Sequence, residues 1–234
     1  MMSNVKAAAV LVCAGSGSRM QGSCADKLLL EIAGKPIAVH TLCAYDQVDE
    51  IGLIVVVTRE ENVSVYESFA AKYGIQTPVL VTVGGKTRVD SVMNGVRAVP
   101  AEYELVAIGD GARPLIRAED ISKTIAAAAE SGAAALGVAA IDTMKEIKDG
   151  MITRTVPREQ LIQIQTPQVF RLGEYLELAA KAQKSGQEFT DDASIYEFYN
   201  KPVRFVEGHR DNLKITVPED AAMIKMLMEE RLCE

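Results

Sequence analysis

The chain has 234 residues, 48% hydrophobic and 24% charged, which is enough apolar material for a sizeable core and is read as one domain. A formal charge of −7 and a pI near 5.1 argue against nucleic acid or an anionic membrane as partner, and leave room only for a local basic pocket. Four cysteines (Cys13, Cys24, Cys43, Cys233) without a C-x-x-C pair, and only two histidines, give neither a disulfide framework nor a zinc signature, so reduced thiols in a cytoplasmic protein are expected.

The chain opens with "MMSNVKAAAVLV", whose apolar run is too short for a leader or a membrane span, and no later segment reaches the roughly 18 apolar residues of a span. The run at 7–12 is the first predicted strand. Behind it comes the Gly/Ser loop "CAGSGSRM" (13–20), then a helix over 36–48 opening with Pro36, a strand over 51–57, a helix over 60–74 closing on Gly74, and a strand over 78–83. A helix over 88–99, a strand over 103–110, a helix over 118–132 and a strand over 133–140 continue the alternation. Continuous β-branched and aliphatic runs suit strands buried on both faces, and strand–helix alternation with short connections predicts an α/β fold with a mostly parallel, Rossmann-like sheet flanked by helices.

The rhythm breaks after residue 140. Two Thr- and Ile-rich extended segments flank Lys148-Asp149-Gly150, which predicts a β-hairpin projecting from the sheet, with apolar residues that need cover from a second subunit. Beyond it are a helix over 173–185, a polar turn "FTDDAS" (189–194) capping another, strands over 202–208 and 213–217, and an amphipathic helix from Pro218.

In an open parallel sheet the loops beyond the carboxyl ends of the strands hold ligands. The loop at 13–20 has Gly15 and Gly17 but Met20 where a dinucleotide loop needs a third small residue, and no G-K-[ST] follows, so it matches neither phosphate fingerprint. It reads either as an anion cradle backed by Arg19 and Lys27 or as an ordinary strand-to-helix turn. Asp110, at the end of a buried strand, suits a Mg²⁺ ion held against triphosphate oxygens or a plain turn cap. The turn "GGKTRVDSV" (84–92) offers Thr87, Arg88 and Ser91 at a helix start, with Thr87 as a cap, and Lys214 falls in a late strand, where it could also be an exposed-face lysine.

Taken in order, "AGSGSRM", Lys27, "GGKTRVDSV", "GDGARP", "DTMK", "QTPQVF", "TDDAS" and "EGHRDNLKIT" make the chain resemble the 2-C-methyl-D-erythritol 4-phosphate cytidylyltransferase family over essentially its whole length. The resemblance implies a nucleotidyltransferase (glycosyltransferase-A-like) sheet in a single domain over 1–234, with 141–165 as an arm for dimerisation and substrate binding. It implies that Ala14, Gly15, Ser16 and Gly17 wrap the CTP triphosphate while Arg19 and Lys27 stabilise its transition-state charge. Gly85, Arg88 and Ser91 then read the nucleotide, Asp110 binds Mg²⁺ or another divalent cation, and Gly111, Ala112 and Arg113 line the pocket. Thr143, Arg158 and Thr166 grip the sugar-alcohol phosphate, Arg158 coming from a neighbouring subunit of a homodimer, and Lys214 orients the attacking phosphate.

Such a site needs no general base, because a phosphate is already a nucleophile and the protein has mainly to neutralise charge and hold oxygens in line. The same nucleotide half also suits transfer to ribitol 5-phosphate, or a nucleotide-binding module without catalysis; Arg19, Lys27, Asp110 and Lys214 together weigh against the module. The sequence departs from the family pattern at Gly109, where many relatives carry histidine, and at Gly111 and Cys13, where alanine is frequent.

Overall fold

The computed structural model describes residues 5–15 and 26–231. Along the chain these form β1 (Ala7–Val12), the short strands β2 (Glu31–Ile32) and β3 (Lys35–Pro36), α1 (Ile37–Asp46), β4 (Ile51–Thr58), α2 (Val63–Tyr73), β5 (Val79–Val83) and α3 (Arg88–Arg97). They continue through β6 (Leu105–Asp110), α4 (Ala118–Ser131), β7 (Ala133–Ala139), β8 (Met144–Lys148), β9 (Met151–Val156) and β10 (Ile162–Arg171). The chain then runs through α5 (Leu172–Ser185), α6 (Ala193–Phe198), β11 (Arg204–Glu207) and α7 (Pro218–Arg231).

The apolar runs become a seven-stranded sheet in the order β11-β7-β10-β6-β1-β4-β5. Pairing is parallel throughout except at β10, which runs against β6 and β7 on either side. Successive residues of β1 point to opposite faces, as the two-residue period of a strand requires. Ala7, Ala9 and Leu11 join a core with α1, α2, α4 and α7, whereas Ala8 and Val10 join one with α3, α5 and α6. In the second core Phe170 stacks on Tyr196 with ring centroids 4.5 Å apart, and each such fully buried side chain contributes about 2 kcal/mol of burial. The predicted helix stops hold: Gly74 and Gly132 close α2 and α4 with φ of 71° and 87°, the left-handed conformation glycine adopts freely.

Three expectations need correction. β5 lies at the edge of the sheet, so Leu80 and Val83 are exposed rather than buried on both faces. The run at 213–217 is not a strand: Ile215 N–H bonds Ala112 O at 2.9 Å, but Thr216 and Val217 N–H are taken by Oδ2 of Asp220 at 2.7 and 2.9 Å. No ladder can then form. Lys214 therefore stands on an irregular segment. Finally, the extended stretch after the hairpin is a separate, central strand, β10; its Pro167 sits where the pairing with β7 slips between Ile164 and Gln168, the kind of irregularity that tolerates proline inside a sheet.

The hairpin itself is present. β8 and β9 pair antiparallel around Asp149 and Gly150, whose φ values of 51° and 78° are those of a tight two-residue turn. Ile147, Met151 and Ile152 are each about two-thirds exposed or more, at 72%, 71% and 67%.

Candidate active site

The register of the parallel strands decides which loops meet. Val12 pairs with Asp110 and with Val57, and Thr58 pairs with Val83, so the segments starting at Cys13, Arg59, Gly84 and Gly111 open along one edge. Side chains from these segments, from β10 and from the stretch before α7 converge there.

Asp110 is the centre of the group. It is buried at the end of β6, with Oδ2 3.1 Å from Nζ of Lys214 and 3.2 Å from Nε of Arg113. Burial alone raises a carboxyl pKa, but the charges of Lys214, Arg113 and Arg88 outweigh it and hold Asp110 below the usual carboxylate range. Asp110 N–H donates to Oγ1 of Thr166 at 3.0 Å, and Nη1 of Arg113 donates to Asn212 O at 2.8 Å. Nδ2 of Asn212 in turn donates to Oε1 of Gln165 at 3.0 Å and to Thr166 O. The bonds close a ring through β6, β10 and the 212 segment, which fixes Lys214 against the strand end.

The backbone on both sides of Asp110 is close-packed. A β-carbon on Gly109 would lie 2.3 Å from the Tyr45 hydroxyl, and one on Gly111 would lie 2.3 Å from Sγ of Cys13. Two of the departures from the family pattern thus interlock: the thiol of Cys13 fills the room an alanine methyl at 111 would take. Burial pushes that thiol up to about 12, so it stays protonated near neutral pH and is no nucleophile. Thr41 of α1 holds Gly111 O at 3.0 Å from below, and Ala112 is buried in the core.

The turn after β5 is built around the start of α3. Thr87 and Asp90 form a reciprocal capping box, so Thr87 is a cap as the sequence allowed. Oγ of Ser91 accepts from Gly85 N–H at 3.0 Å and donates to Thr87 O at 2.9 Å, which fixes the backbone of Gly85. Arg88 projects from the first turn with Nη2 donating to Oδ2 of Asp192 at 2.6 Å, and Oδ1 of Asp192 accepts from the Tyr175 hydroxyl, also at 2.6 Å. Burial opposes the charge on Arg88, but Asp192 more than compensates and keeps it a cation. Its Nη1 is buried and has no hydrogen-bond partner among the described residues, so one donor is left for a ligand.

Lys27 begins a 3-10 turn capped by Asp26, and its Nζ donates to Ile215 O at 2.8 Å, one residue from Lys214. Ala14 packs against the second core and Gly15 O accepts from Arg59 at 2.9 Å. Ser16, Gly17 and Arg19 lie outside the described residues. Thr143 and Arg158 are exposed on the arm; Arg158 bonds Ile141 O at 2.7 Å and pairs with Glu159 at 3.5 Å, and among the described residues no hydrogen bond or ion pair joins it to Asp110.

Sequence reasoning missed the buried supports of the group: Asp192, Asn212, Gln165 and Gln168. The turn at 189–194 was read as a helix cap, and Asp191 does bond Ser194 N–H at 3.0 Å, whereas Asp192 faces inward to Arg88. Two adjacent aspartates before one short helix, where a cap needs one, was the available signal. Glu119, Asp120 and His209 bring three potential metal-ligand atoms within 4.8 Å of one another, but Arg117 and Lys123 stand 3.9 Å from the first two, which marks an ion-pair cluster.

The family model for 2-C-methyl-D-erythritol 4-phosphate cytidylyltransferase matches residues 7–230. A protein of that name from Geobacillus kaustophilus is 36% identical over 97% of this chain and 98% of its own length. Another from Dehalococcoides mccartyi is 38% identical over 98% of this chain and 99% of its own. Among solved structures, the 4-diphosphocytidyl-2C-methyl-D-erythritol synthase of Anaerococcus prevotii superposes with a TM-score of 0.87 at 29% identity, covering 97% of this chain and 100% of that one. Among the described residues no helix is long and apolar enough to cross a membrane.

Proposed function

The chain belongs to the 2-C-methyl-D-erythritol 4-phosphate cytidylyltransferase family, and from that premise we propose how its residues divide the work. The reaction transfers a cytidylyl group from CTP to 2-C-methyl-D-erythritol 4-phosphate, giving 4-CDP-2-C-methyl-D-erythritol and pyrophosphate. An anionic nucleophile meets an anionic α-phosphorus, so the barrier is one of charge and alignment.

The observation that carries the reading is the convergence of Lys214, Arg113 and Arg88 on Asp110, a cationic group in a protein of net charge −7. Lys214 draws the attacking phosphate toward the strand end, and Thr166 beside it bonds the same phosphate. Lys27 reaches the leaving triphosphate from the other side of Ile215, together with Arg19, and the two offset the charge that grows on the leaving oxygens. Ala14, Gly15, Ser16 and Gly17 give backbone donors to the triphosphate. Gly85 and Ser91 present backbone and hydroxyl to the base, Arg88 offers its unpartnered Nη1 to the nucleotide, and Gly111, Ala112 and Arg113 form the wall beside it.

Asp110 is the carboxylate of the group and would hold a divalent cation, which takes one or two protein carboxylates when phosphates supply its other oxygens. Bound there, Mg²⁺ neutralises triphosphate charge. The exposed apolar face of β8 and β9 supports an arm covered by a second copy of the chain, from which Thr143 and Arg158 reach the neighbour's substrate in a cytoplasmic homodimer. Pyrophosphate release from CTP tests the substrate: release with methylerythritol phosphate but not with ribitol 5-phosphate is expected, and the reverse preference would overturn the assignment.

A further inference from the structure

The turn joining β4 to α2 touches both described ends of the stretch between Gly15 and Asp26. Nη2 of Arg59 donates to Gly15 O at 2.9 Å. Three residues on, Nδ2 of Asn62 donates to Oδ2 of Asp26 at 2.9 Å, while Oδ1 of Asp26 accepts Leu28 N–H at 2.9 Å. Asp26 and Asn62 are both buried, at 2% and 7% exposure, and Asp26 is the cap of the turn that begins with Lys27. A buried carboxylate is tolerated only where its oxygens are bonded, so Asn62 is part of what allows Asp26 to stand there.

We propose that Asn62 is a positioning residue for cytidylyl transfer: through the buried Asp26 carboxylate it fixes the turn from which Lys27 reaches the triphosphate, while Arg59 steadies Gly15 at the other end. This rests on the role given above to Lys27. A cation that offsets charge in the transition state is effective only where that charge develops, and a displacement of about 1 Å costs on the order of a hundredfold in rate. Neither Asn62 nor Arg59 has to touch a substrate for this. Their effect appears in kcat and passes through Lys27.

Steady-state kinetics on Asn62→Ala, Lys27→Ala and the double variant test it, with circular dichroism to verify folding. Asn62→Ala is expected to lower kcat about tenfold or more with the KM for CTP changed less than about threefold, and to add nothing in the Lys27→Ala background. If Asn62→Ala does not fold, reversing the pair serves instead. Asn62→Asp alone sets two carboxylates against each other and is expected to lose activity, and adding Asp26→Asn restores an amide facing a carboxylate and most of the rate. Normal turnover in Lys27→Ala would remove the premise, and the proposal with it. If Lys27 matters but Asn62→Ala is silent, or is equally harmful without Lys27, or the reversed pair gives no rescue, positioning by Asn62 is overturned and the role of Lys27 stands.

Discussion

Nη2 of Arg88 meets Oδ2 of Asp192 at 2.6 Å across 104 residues of sequence, with the aspartate wholly buried. The bond ties the start of α3 to the turn before α6, and the same aspartate holds the Tyr175 hydroxyl. Asp192→Ala strands the Arg88 charge and the phenol together, and breaking a buried pair from one side costs about 3 kcal/mol or more. Calorimetry is expected to show a Tm lower by about 10 °C, given roughly 2–4 °C per kcal/mol at this chain length. Asp192→Asn, which keeps one oxygen to accept from Arg88 and can turn its amide toward the Tyr175 oxygen, is expected to lose less and to raise the KM for CTP more than it lowers kcat. Equal Tm for all three proteins would contradict this.

Acid sensitivity follows from Asp110. Its carboxyl is held below its ordinary value, so it favours folding at every pH above the unfolded value of about 3.9, and that contribution disappears as pH falls through the folded value. Thermal unfolding scanned from about pH 6 to about pH 2.5 should show Asp110→Asn losing less stability than the parent below about pH 4. Identical acid profiles would mean that Lys214, Arg113 and Arg88 do not hold the charge.

The packing of Cys13 against Gly111 sets up a reciprocal pair of substitutions. Gly111→Ala drives a methyl into Sγ and is expected to destabilise by about 1–3 kcal/mol, the usual cost of overpacking. Cys13→Ala in the same chain vacates that space, so the double variant is expected to recover most of the loss in chemical denaturation. Simple additivity of the two single effects would show that the contact is not the cause.

The arm can be tested by mixing. If Arg158 acts on the neighbour's substrate, a co-refolded mixture of Arg158→Ala and Lys214→Ala subunits contains hybrid dimers with one intact site, and about a quarter of parental activity is expected from random pairing. No recovery would place Arg158 in its own subunit's site. Ile147→Lys together with Ile152→Glu is expected to shift sedimentation toward monomer, since the two side chains pair across β8 and β9 and lie exposed on the same face.

Much of the fold was legible because β1, β4, β6 and β7 are unbroken apolar runs, and because Gly74 and Gly132 punctuate the helices. β10 was not, because its glutamines and Pro167 do not read as a strand buried in the middle of a sheet; Gln165 bonds Asn212 and His209, and Gln168 bonds Asp191, so these two are satisfied without water. "LKITV" has the opposite fault, a strand composition overridden by Asp220, which takes two of its N–H groups. In the site, Asp110 stood out as a charge at a strand end, Arg88 as one at a helix start, and Lys27 and Lys214 through the motifs around them. Their supports did not, since Asp192, Asn212 and Asn62 are recognisable only from partners about 36 to 104 residues away.

The reversal of β10 has a consequence for how such a protein can change its acceptor. Ile162 pairs with Ala139 and Phe170 with Ala133, so the chain leaves the sheet and returns to it at the same edge, the one that carries Asp110. An ordinary crossover would have spent those residues on a helix packed over the sheet. Here the detour from 140 to 161 is a self-contained graft with both stems anchored at the end of the sheet that carries Asp110. A new arm can be exchanged there without disturbing a single parallel strand, and under the proposed role of the arm this makes acceptor choice separable from the chemistry of transfer.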